Sequence, residues 1–129
     1  MRPVLVDTHT LLWIDSHPRL LSRRAAKAVR GAEIIVSSVT WYEIASLVRR
    51  CRIRHRGSVR TWLASLTREV RSVPISPAIA ATAAALEGGF PEDPFDRIIY
   101  ATAIEHGWAL VTKDQRLLDY PAGRTVAIW

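Results

Sequence analysis

The sequence of 129 residues contains one cysteine and no long apolar run. Because Cys51 stands alone, an internal disulfide and a cysteine-bound metal cluster are both excluded. No apolar stretch approaches the ~20 residues of a membrane span, and the N-terminus shows no signal-peptide pattern. We therefore expect a protein of the reducing cytoplasm without membrane association, in which Cys51 is a small buried side chain.

Two common catalytic signatures are also missing. The sequence has no glycine-rich phosphate loop of the G-x-x-x-x-G-K type, and no Ser-His-Asp set is apparent. Three of the four histidines, His17, His55 and His106, fall in predicted loops or at predicted helix ends. The carboxylates are therefore the main candidates for chemistry.

Acidic residues are scarce relative to basic ones. The chain has 12 acids against 18 lysines and arginines, for a net charge of +6. Nearly all of the basic residues are arginine, whose guanidinium group matches a phosphate in pairs of hydrogen bonds, and this favours a nucleic-acid partner. An arginine-rich codon usage and an acidic protein partner are alternative explanations.

The basic residues are densest between positions 49 and 60. Within this run, Arg49, Arg50, Arg52 and Arg54 are candidates for following an RNA backbone. A solvated basic surface that only aids solubility is the competing interpretation.

Short β-branched stretches alternate with helical patterns along the chain. Strands are predicted at about 2–6, 33–36, 70–75, 108–111 and 125–128. Helices are predicted at about 9–16, 22–29, 39–51, 78–87 and 94–105, with another starting near position 58. This alternation predicts an α/β fold whose parallel sheet is covered on both faces. Without linkers or repeats, residues 1–129 are expected to form a single domain.

Four acids occupy positions where a shared site could form. Asp7 follows the first strand, Asp114 closes the fourth, and Glu43 and Asp96 lie in the first turns of two helices. Each alone could be a helix cap or a solvated residue. If the first and fourth strands are neighbours, however, the four acids converge at one edge of the sheet. Converging carboxylates repel one another, and an oxygen-only ligand set favours Mg²⁺ or Mn²⁺ as the balancing cation.

Two further residues accompany these acids. Asp93 precedes a proline at a helix start and is expected to cap that helix. Asp96 lies three residues later and carries the same charge, so the two carboxylates repel each other. A cation beside them would relieve this repulsion. His9 lies two residues after Asp7 and is a candidate for a supporting hydrogen bond.

A carboxylate-held cation suits phosphoryl chemistry, because it lowers the pKa of water and neutralises charge on phosphate. Two other acidic Mg²⁺ folds are disfavoured by individual residues. A phosphatase of this kind has a second aspartate two residues after the first, where this chain has His9. A phospho-receiver domain has an aspartate after the third strand, where this chain has Ile75-Ser76-Pro77.

Four sequence blocks together resemble the PIN-domain ribonucleases, and in particular the VapC-type toxins of toxin–antitoxin pairs. The blocks start with Asp7-Thr8-His9-Thr10-Leu11-Leu12-Trp13 and Trp41-Tyr42-Glu43-Ile44-Ala45, and continue with Asp93-Pro94-Phe95-Asp96-Arg97 and Val111-Thr112-Lys113-Asp114. The resemblance spans the whole chain. It implies a three-layer α/β/α fold with a central parallel sheet of four to five strands. It also implies Mg²⁺- or Mn²⁺-dependent hydrolysis of RNA phosphodiester bonds.

The resemblance assigns roles to individual residues. Asp7, Glu43, Asp96 and Asp114 match the family's acidic metal-binding positions, and Thr112 matches a small hydroxyl residue beside them. Asp93 is expected to be a cap or an outer partner of the site rather than a ligand. Many relatives also carry a histidine shortly before the Asp-Pro-Phe-Asp-Arg block, whereas this chain has Gly89-Phe90-Pro91-Glu92.

The resemblance further implies a homodimer and a cognate antitoxin that occupies the cleft. The apolar residues Trp62, Leu63 and Leu66 follow the basic run and could receive such a peptide, although all three could equally be core residues. A non-catalytic RNA-binding or antitoxin-binding module on the same fold is the alternative function.

Overall fold

The computed structural model describes residues 1–129 as five β-strands and seven α-helices. The strands are β1 (Pro3–Val6), β2 (Glu33–Ser37), β3 (Arg71–Val73), β4 (Ala109–Val111) and β5 (Ala127–Ile128). The helices are α1 (Thr8–Ser16), α2 (Arg23–Val29), α3 (Val39–Arg49), α4 (Val59–Thr67), α5 (Pro77–Ala85), α6 (Pro94–His106) and α7 (Gln115–Asp119). None of these helices has the length and hydropathy that a membrane crossing requires.

The five strands form one parallel sheet in the order β3-β2-β1-β4-β5. Val6, the last residue of β1, lies opposite Val111, the last residue of β4. The predicted parallel sheet is therefore confirmed, and β1 and β4 are neighbours whose carboxyl ends stop level with one another. The residues that follow these two strands emerge side by side.

The alternation of side chains along each strand builds two separate cores. Val4 and Val6 point to the face covered by α1, α2, α3 and α4. Leu5 and Leu110 point to the opposite face, which is covered by α6 and α7. Helix α5 packs against α6 on that side through Ile79 and Ala83. The fold is thus a three-layer α/β/α sandwich, as expected.

Serine residues start several of the helices. The side chains of Ser22, Ser58 and Ser76 each accept a hydrogen bond from the backbone N–H three residues later. These caps satisfy N–H groups that have no partner inside the helix. At the other end, Gly107 adopts a left-handed conformation (φ 70°) and ends α6.

Several boundaries and one burial prediction differ from the sequence-based expectation, including the start of β5 at Ala127 rather than 125 and the end of α5 at Ala85 rather than 87. Strand β3 ends at Val73 rather than near position 75, since Pro74 has no N–H for the ladder. Helix α3 ends at Arg49, and Cys51 then takes a left-handed φ of 56°. The Cys51 N–H bonds to Val48 and the next N–H to Leu47, which closes the last turn and leaves the thiol exposed. The prediction that Cys51 is buried was therefore wrong.

Candidate active site

Asp7 both ends β1 and caps α1. One of its carboxylate oxygens accepts a hydrogen bond from the Thr10 N–H at 2.9 Å. The other accepts a hydrogen bond from the hydroxyl of Thr112, which follows β4. Asp7 is therefore both a helix cap and a residue at the carboxyl edge of the sheet. Its two hydrogen bonds hold the carboxylate in a single orientation.

Buried threonines, rather than cations, hold two of the acids in place. Thr112 is fully buried and accepts a hydrogen bond from the Asp114 N–H at 3.1 Å while it donates to Asp7. Thr8 is also buried, lies 3.1 Å from the Thr40 hydroxyl and donates to a carboxylate oxygen of Glu43. The role of Thr8 was not predicted, although its position directly after Asp7 was the signal that could have identified it.

Glu43 lies one turn into α3 and faces the same cleft as Asp7. Burial raises the pKa of the Glu43 carboxyl, as do the charges of Asp93 and Asp7, while the Thr8 hydrogen bond and His9 oppose the shift. Keeping the Glu43 carboxyl group ionised in this position therefore costs free energy.

Asp93 and Asp96 lie at the start of α6. The Asp93 side chain accepts hydrogen bonds from the Phe95 N–H at 2.8 Å and the Asp96 N–H at 3.2 Å, so its predicted capping geometry is present. Burial, followed by the charges of Asp93 and Asp114, raises the pKa of Asp96 to about 7. The predicted repulsion between acids is thus a property of the folded chain.

Asp114 caps α7 and pairs with an arginine that sequence reasoning missed. Its carboxylate accepts hydrogen bonds from the Arg116 backbone N–H and Nε, both at 3.0 Å, and from Nη2 at 2.6 Å. These contacts lower the pKa of Asp114, although burial opposes the effect. Nη2 of Arg116 also lies 3.3 Å from Asp96, so one guanidinium joins two of the predicted site acids.

These side chains share one open cleft of about 490 Å³. It is lined by Asp7, Thr8, His9, Trp13, Glu43, Asp93, Asp96, Ile99, Lys113, Asp114 and Arg116. The structure therefore brings together all four predicted acids, together with Asp93 and His9. Thr112 lies behind Asp7 and orients it without lining the cleft.

The basic segment, residues 49–60, lies mostly away from this cleft. Arg49, Arg50, Arg52 and Arg54 are exposed. Only Arg54 reaches a neighbouring apolar groove of about 390 Å³, which shares His9 and Trp13 with the cleft. The four arginines are therefore not brought to one place in the way the acids are.

The apolar groove is lined by His9, Leu12, Trp13, Ser16, His17, Leu20, Ile53, Arg54 and Trp62. The ring of Trp62 stacks on His55 at a centroid distance of 4.8 Å. Leu66 is buried in the core, and Leu63 packs partly against it. Of the three apolar residues considered for peptide docking, Trp62 alone lines the groove.

The donor set of the cleft suits a divalent cation. Five carboxylates face only two permanently charged bases, Lys113 and Arg116, and all of the acidic donors are oxygen atoms. Hard cations such as Mg²⁺ and Mn²⁺ prefer such ligands. The carboxylates do not form a closed cage, because no three of them lie close enough to share one ion. Thr112, Thr8 and Arg116 instead occupy carboxylate oxygens of these acids with hydrogen bonds.

The protein-family comparison assigns this architecture to a known class. The PIN-domain model matches residues 4–123, so the chain belongs to the PIN-domain family. It is 47% identical over 130 residues to ribonuclease VapC22 of Mycobacterium tuberculosis (strain ATCC 25618 / H37Rv), and the match covers 100% of both chains.

Solved structures show the same fold. A toxin–antitoxin complex from Klebsiella pneumoniae has a chain with a TM-score of 0.67 and 25% identity, covering 98% of this chain and 96% of that one. FitAcB from Neisseria gonorrhoeae has a TM-score of 0.57 and 22% identity, covering 88% and 89% of the two chains. The similarity to FitAcB shows a shared fold and nothing more.

Proposed function

We propose that the protein is a metal-dependent endoribonuclease that hydrolyses RNA phosphodiester bonds, and that it is the VapC-type toxin of a toxin–antitoxin pair. The observation that carries the proposal is the five-carboxylate cleft at the ends of β1 and β4. Its support is the full-length 47% identity to a ribonuclease of that type. The proposal treats residues 1–129 as one nuclease domain that acts in the cytoplasm.

Asp7, Glu43, Asp96 and Asp114 are the residues that would hold Mg²⁺ or Mn²⁺. When bound, such an ion lowers the pKa of water and neutralises charge on the phosphate. The chain itself supplies the orientation of the ligands, because Thr112 fixes Asp7 and Thr8 fixes Glu43. Hydrogen-bonded partners of this kind determine where a ligand points.

The remaining predicted residues have supporting roles in this proposal. Asp93 holds the first turn of α6 and thereby positions Asp96. His9 is exposed at the mouth of the cleft, where its ring lies 6.3 Å from that of Trp13. It is placed to contact substrate rather than to bind the cation.

RNA binding is proposed to extend from the cleft toward the basic segment. Arg54 lies in the groove that adjoins the cleft, and Arg49, Arg50 and Arg52 are exposed beyond it. Such side chains bind phosphate groups without reading sequence. The basic segment is therefore proposed to add affinity for RNA of any sequence, while other residues determine which RNA sequence is recognised.

The proposed partners are a cognate antitoxin and a second copy of the chain. The apolar groove beside the cleft offers Leu12, Trp13, Leu20 and Trp62 to an amphipathic peptide, and its Arg54 favours acidic side chains on that peptide. A peptide bound there would lie across His9 and Trp13, which also line the cleft. Binding would therefore obstruct access to the carboxylates.

The alternative is a non-catalytic RNA-binding or antitoxin-binding module. It would bind RNA with a steep salt dependence but would not cleave it in the presence of Mg²⁺ or Mn²⁺. The retention of all four acids in one cleft favours the enzyme.

The test is a cleavage assay on structured RNA with Mg²⁺ or Mn²⁺, using Asp7→Asn and Asp96→Asn. We expect each variant to lose at least about 100-fold in rate, since each removes a charged ligand from the transition-state environment. Asp15→Asn is the matched control, because Asp15 is an exposed acid on α1 outside the cleft. Full activity in both cleft variants would contradict the proposal, and RNA binding without cleavage by the wild type would support the alternative.

A further inference from the structure

Arg116 contacts two site acids that come from different parts of the fold. Its Nε and Nη2 atoms pair with the two carboxylate oxygens of Asp114 at 3.0 and 2.6 Å. The same Nη2 lies 3.3 Å from Asp96 on α6. A single positive group thus lies between two carboxylates that would otherwise repel each other.

The guanidinium is held only by these acids. About 61% of the Arg116 side chain is exposed, so solvent surrounds most of it and the side chain is free to rotate away from the two acids. Arg97 shows the opposite arrangement. Its side chain is 15% exposed and donates to the backbone carbonyls of Pro91, Ala83 and Leu86, which fixes it as part of the framework.

The contacts of Arg116 also occupy oxygens that Asp96 and Asp114 would offer to a cation. Both oxygens of Asp114 and one oxygen of Asp96 are directed at the guanidinium. Any cation that uses these two residues as ligands must take those oxygens from Arg116. Because 61% of the Arg116 side chain is exposed, water replaces the hydrogen bonds that the guanidinium gives up in this exchange.

We propose that Arg116 is an internal counter-ion that occupies Asp96 and Asp114 and competes with the divalent cation for them. This inference rests on the proposed function, because it concerns the same carboxylates. Arg116 keeps the acids paired before the metal binds and is released from them when it does. Metal affinity is therefore lower than the carboxylates alone would give.

The experiment is calorimetric titration of Mn²⁺ into the purified, metal-free protein and its Arg116→Gln variant. We expect the variant to bind Mn²⁺ about fivefold more tightly, the upper range for the loss of one exposed ion pair. Arg116→Lys keeps the charge but loses the planar fork, so its affinity should fall between the two. Circular dichroism verifies that each variant is folded.

Lys113→Gln is the matched control for net charge. Lys113 lines the same cleft but lies over the Trp13 ring, 5.6 Å from its centroid, instead of pairing with an acid. Its removal should strengthen Mn²⁺ binding by no more than about twofold, because salt screens an exposed charge that pairs with no carboxylate.

The possible outcomes distinguish a failure of the counter-ion role from a failure of the proposed function. Equal or weaker Mn²⁺ binding by Arg116→Gln than by the wild type would overturn the counter-ion role. An equal gain from Lys113→Gln would also overturn it, because the effect would then come from net charge alone. If neither the wild type nor any variant bound Mn²⁺, the metal-dependent function itself would fail.

Discussion

The carboxylates of the cleft and the arginines of the basic segment differ in how the fold holds them. Asp7, Asp93 and Asp114 each accept backbone hydrogen bonds at a helix start, and Asp7 also accepts one from a buried hydroxyl. Arg49 and Arg52 are exposed, and the ion pairs of the chain lie elsewhere.

This difference separates what the fold fixes from what it leaves free. Asp7, Asp93 and Asp114 cannot move apart without breaking helix caps, so their repulsion persists until a cation reduces it. The exposed arginine side chains break no ion pair when they move, so they are free to follow a partner of variable shape. We therefore assign chemistry to the cleft and affinity to the basic segment.

The largest expected effect comes from removing the charge of the basic segment. A variant with four Arg→Gln changes, at Arg49, Arg50, Arg52 and Arg54, should bind RNA roughly 100-fold more weakly at low salt, because up to four phosphate contacts are lost. The dependence of log affinity on log salt should become shallower by up to about 3.6. Binding is measured by fluorescence anisotropy across a salt series.

The matched control removes four charges from an exposed face of α2 and its end. It replaces Arg23, Arg24, Lys27 and Arg30 with Gln, and these residues line neither the cleft nor the groove. An equal loss of affinity in both variants would show that the basic segment contributes only net charge.

A smaller effect is expected from Thr112→Val, which keeps the shape of the side chain but removes its hydroxyl. Asp7 then loses the donor that orients it, and the Asp114 N–H loses its acceptor. Mn²⁺ affinity should fall about tenfold, as is typical when a group that orients a metal ligand is removed. Calorimetric titration measures the change.

Thr10→Val is the comparison for this variant, since Thr10 is equally buried but its hydroxyl bonds to the Val111 carbonyl at 3.1 Å. It should cost stability without changing Mn²⁺ affinity. If both variants weakened Mn²⁺ binding equally, the orientation of Asp7 by Thr112 would not be the cause.

The burial of Asp96, together with the repulsion from Asp93 and Asp114, predicts that Asp96→Asn stabilises the metal-free protein. Burial, followed by the charges of Asp93 and Asp114, raises the pKa of Asp96 in the folded state from its usual 3.8 to about 7. The protonated carboxyl therefore favours the folded state at low pH, and this contribution is lost as the pH rises through that window. In EDTA at pH 8 the variant should gain on the order of 1 kcal/mol, or about 3–4 °C in Tm.

The gain should shrink toward pH 5, where the wild-type carboxyl is protonated in the folded state. Saturating Mg²⁺ should reverse the order of the two Tm values, since only the wild type keeps the full ligand set. A wild type that is the more stable protein in EDTA at pH 8 would contradict the account of repulsion. Thermal unfolding at the two pH values provides the measurement.

The smallest effect is expected at Cys51, where the chain leaves α3 and enters the basic segment. Glycine adopts the φ of 56° at this position without steric cost, so Cys51→Gly should raise stability by about 0.5 kcal/mol. The expected Tm increase is about 2 °C, with Mn²⁺ affinity unchanged. A loss of more than about 1 kcal/mol would show that the thiol packs against the segment.

Asp7, Asp93 and Asp114 were predictable because each lies at the end of a regular element. Asp7 and Asp114 follow strands, and parallel strands place their carboxyl ends at one edge, so the sheet order was enough to bring them together. Asp93 was predictable from the proline after it, which marks a helix start. These are local signals with a fixed geometric meaning.

Thr8 was not predicted although it directly follows Asp7, and Arg116 was not predicted for a different reason. The direction of a long side chain in a short helix depends on which carboxylates lie across the cleft, and the sequence does not contain that information. Arg97 is next to Asp96 in the sequence but does not pair with it, because its guanidinium reaches the backbone carbonyls of Ala83 and Leu86 at the end of α5. Cys51 was misjudged because the helix stripe was extended past its last turn.

The most direct test of the central claim is a crystal of the protein soaked in Mn²⁺ and measured at the manganese absorption edge. The account predicts an anomalous peak in the cleft, at about 2.1 Å from carboxylate oxygens of Asp7 and Asp96. It also predicts that the Arg116 guanidinium has left Asp96. A fully soaked crystal with no peak in the cleft, or with its only peak elsewhere on the molecule, would contradict the assignment of these carboxylates as a metal centre.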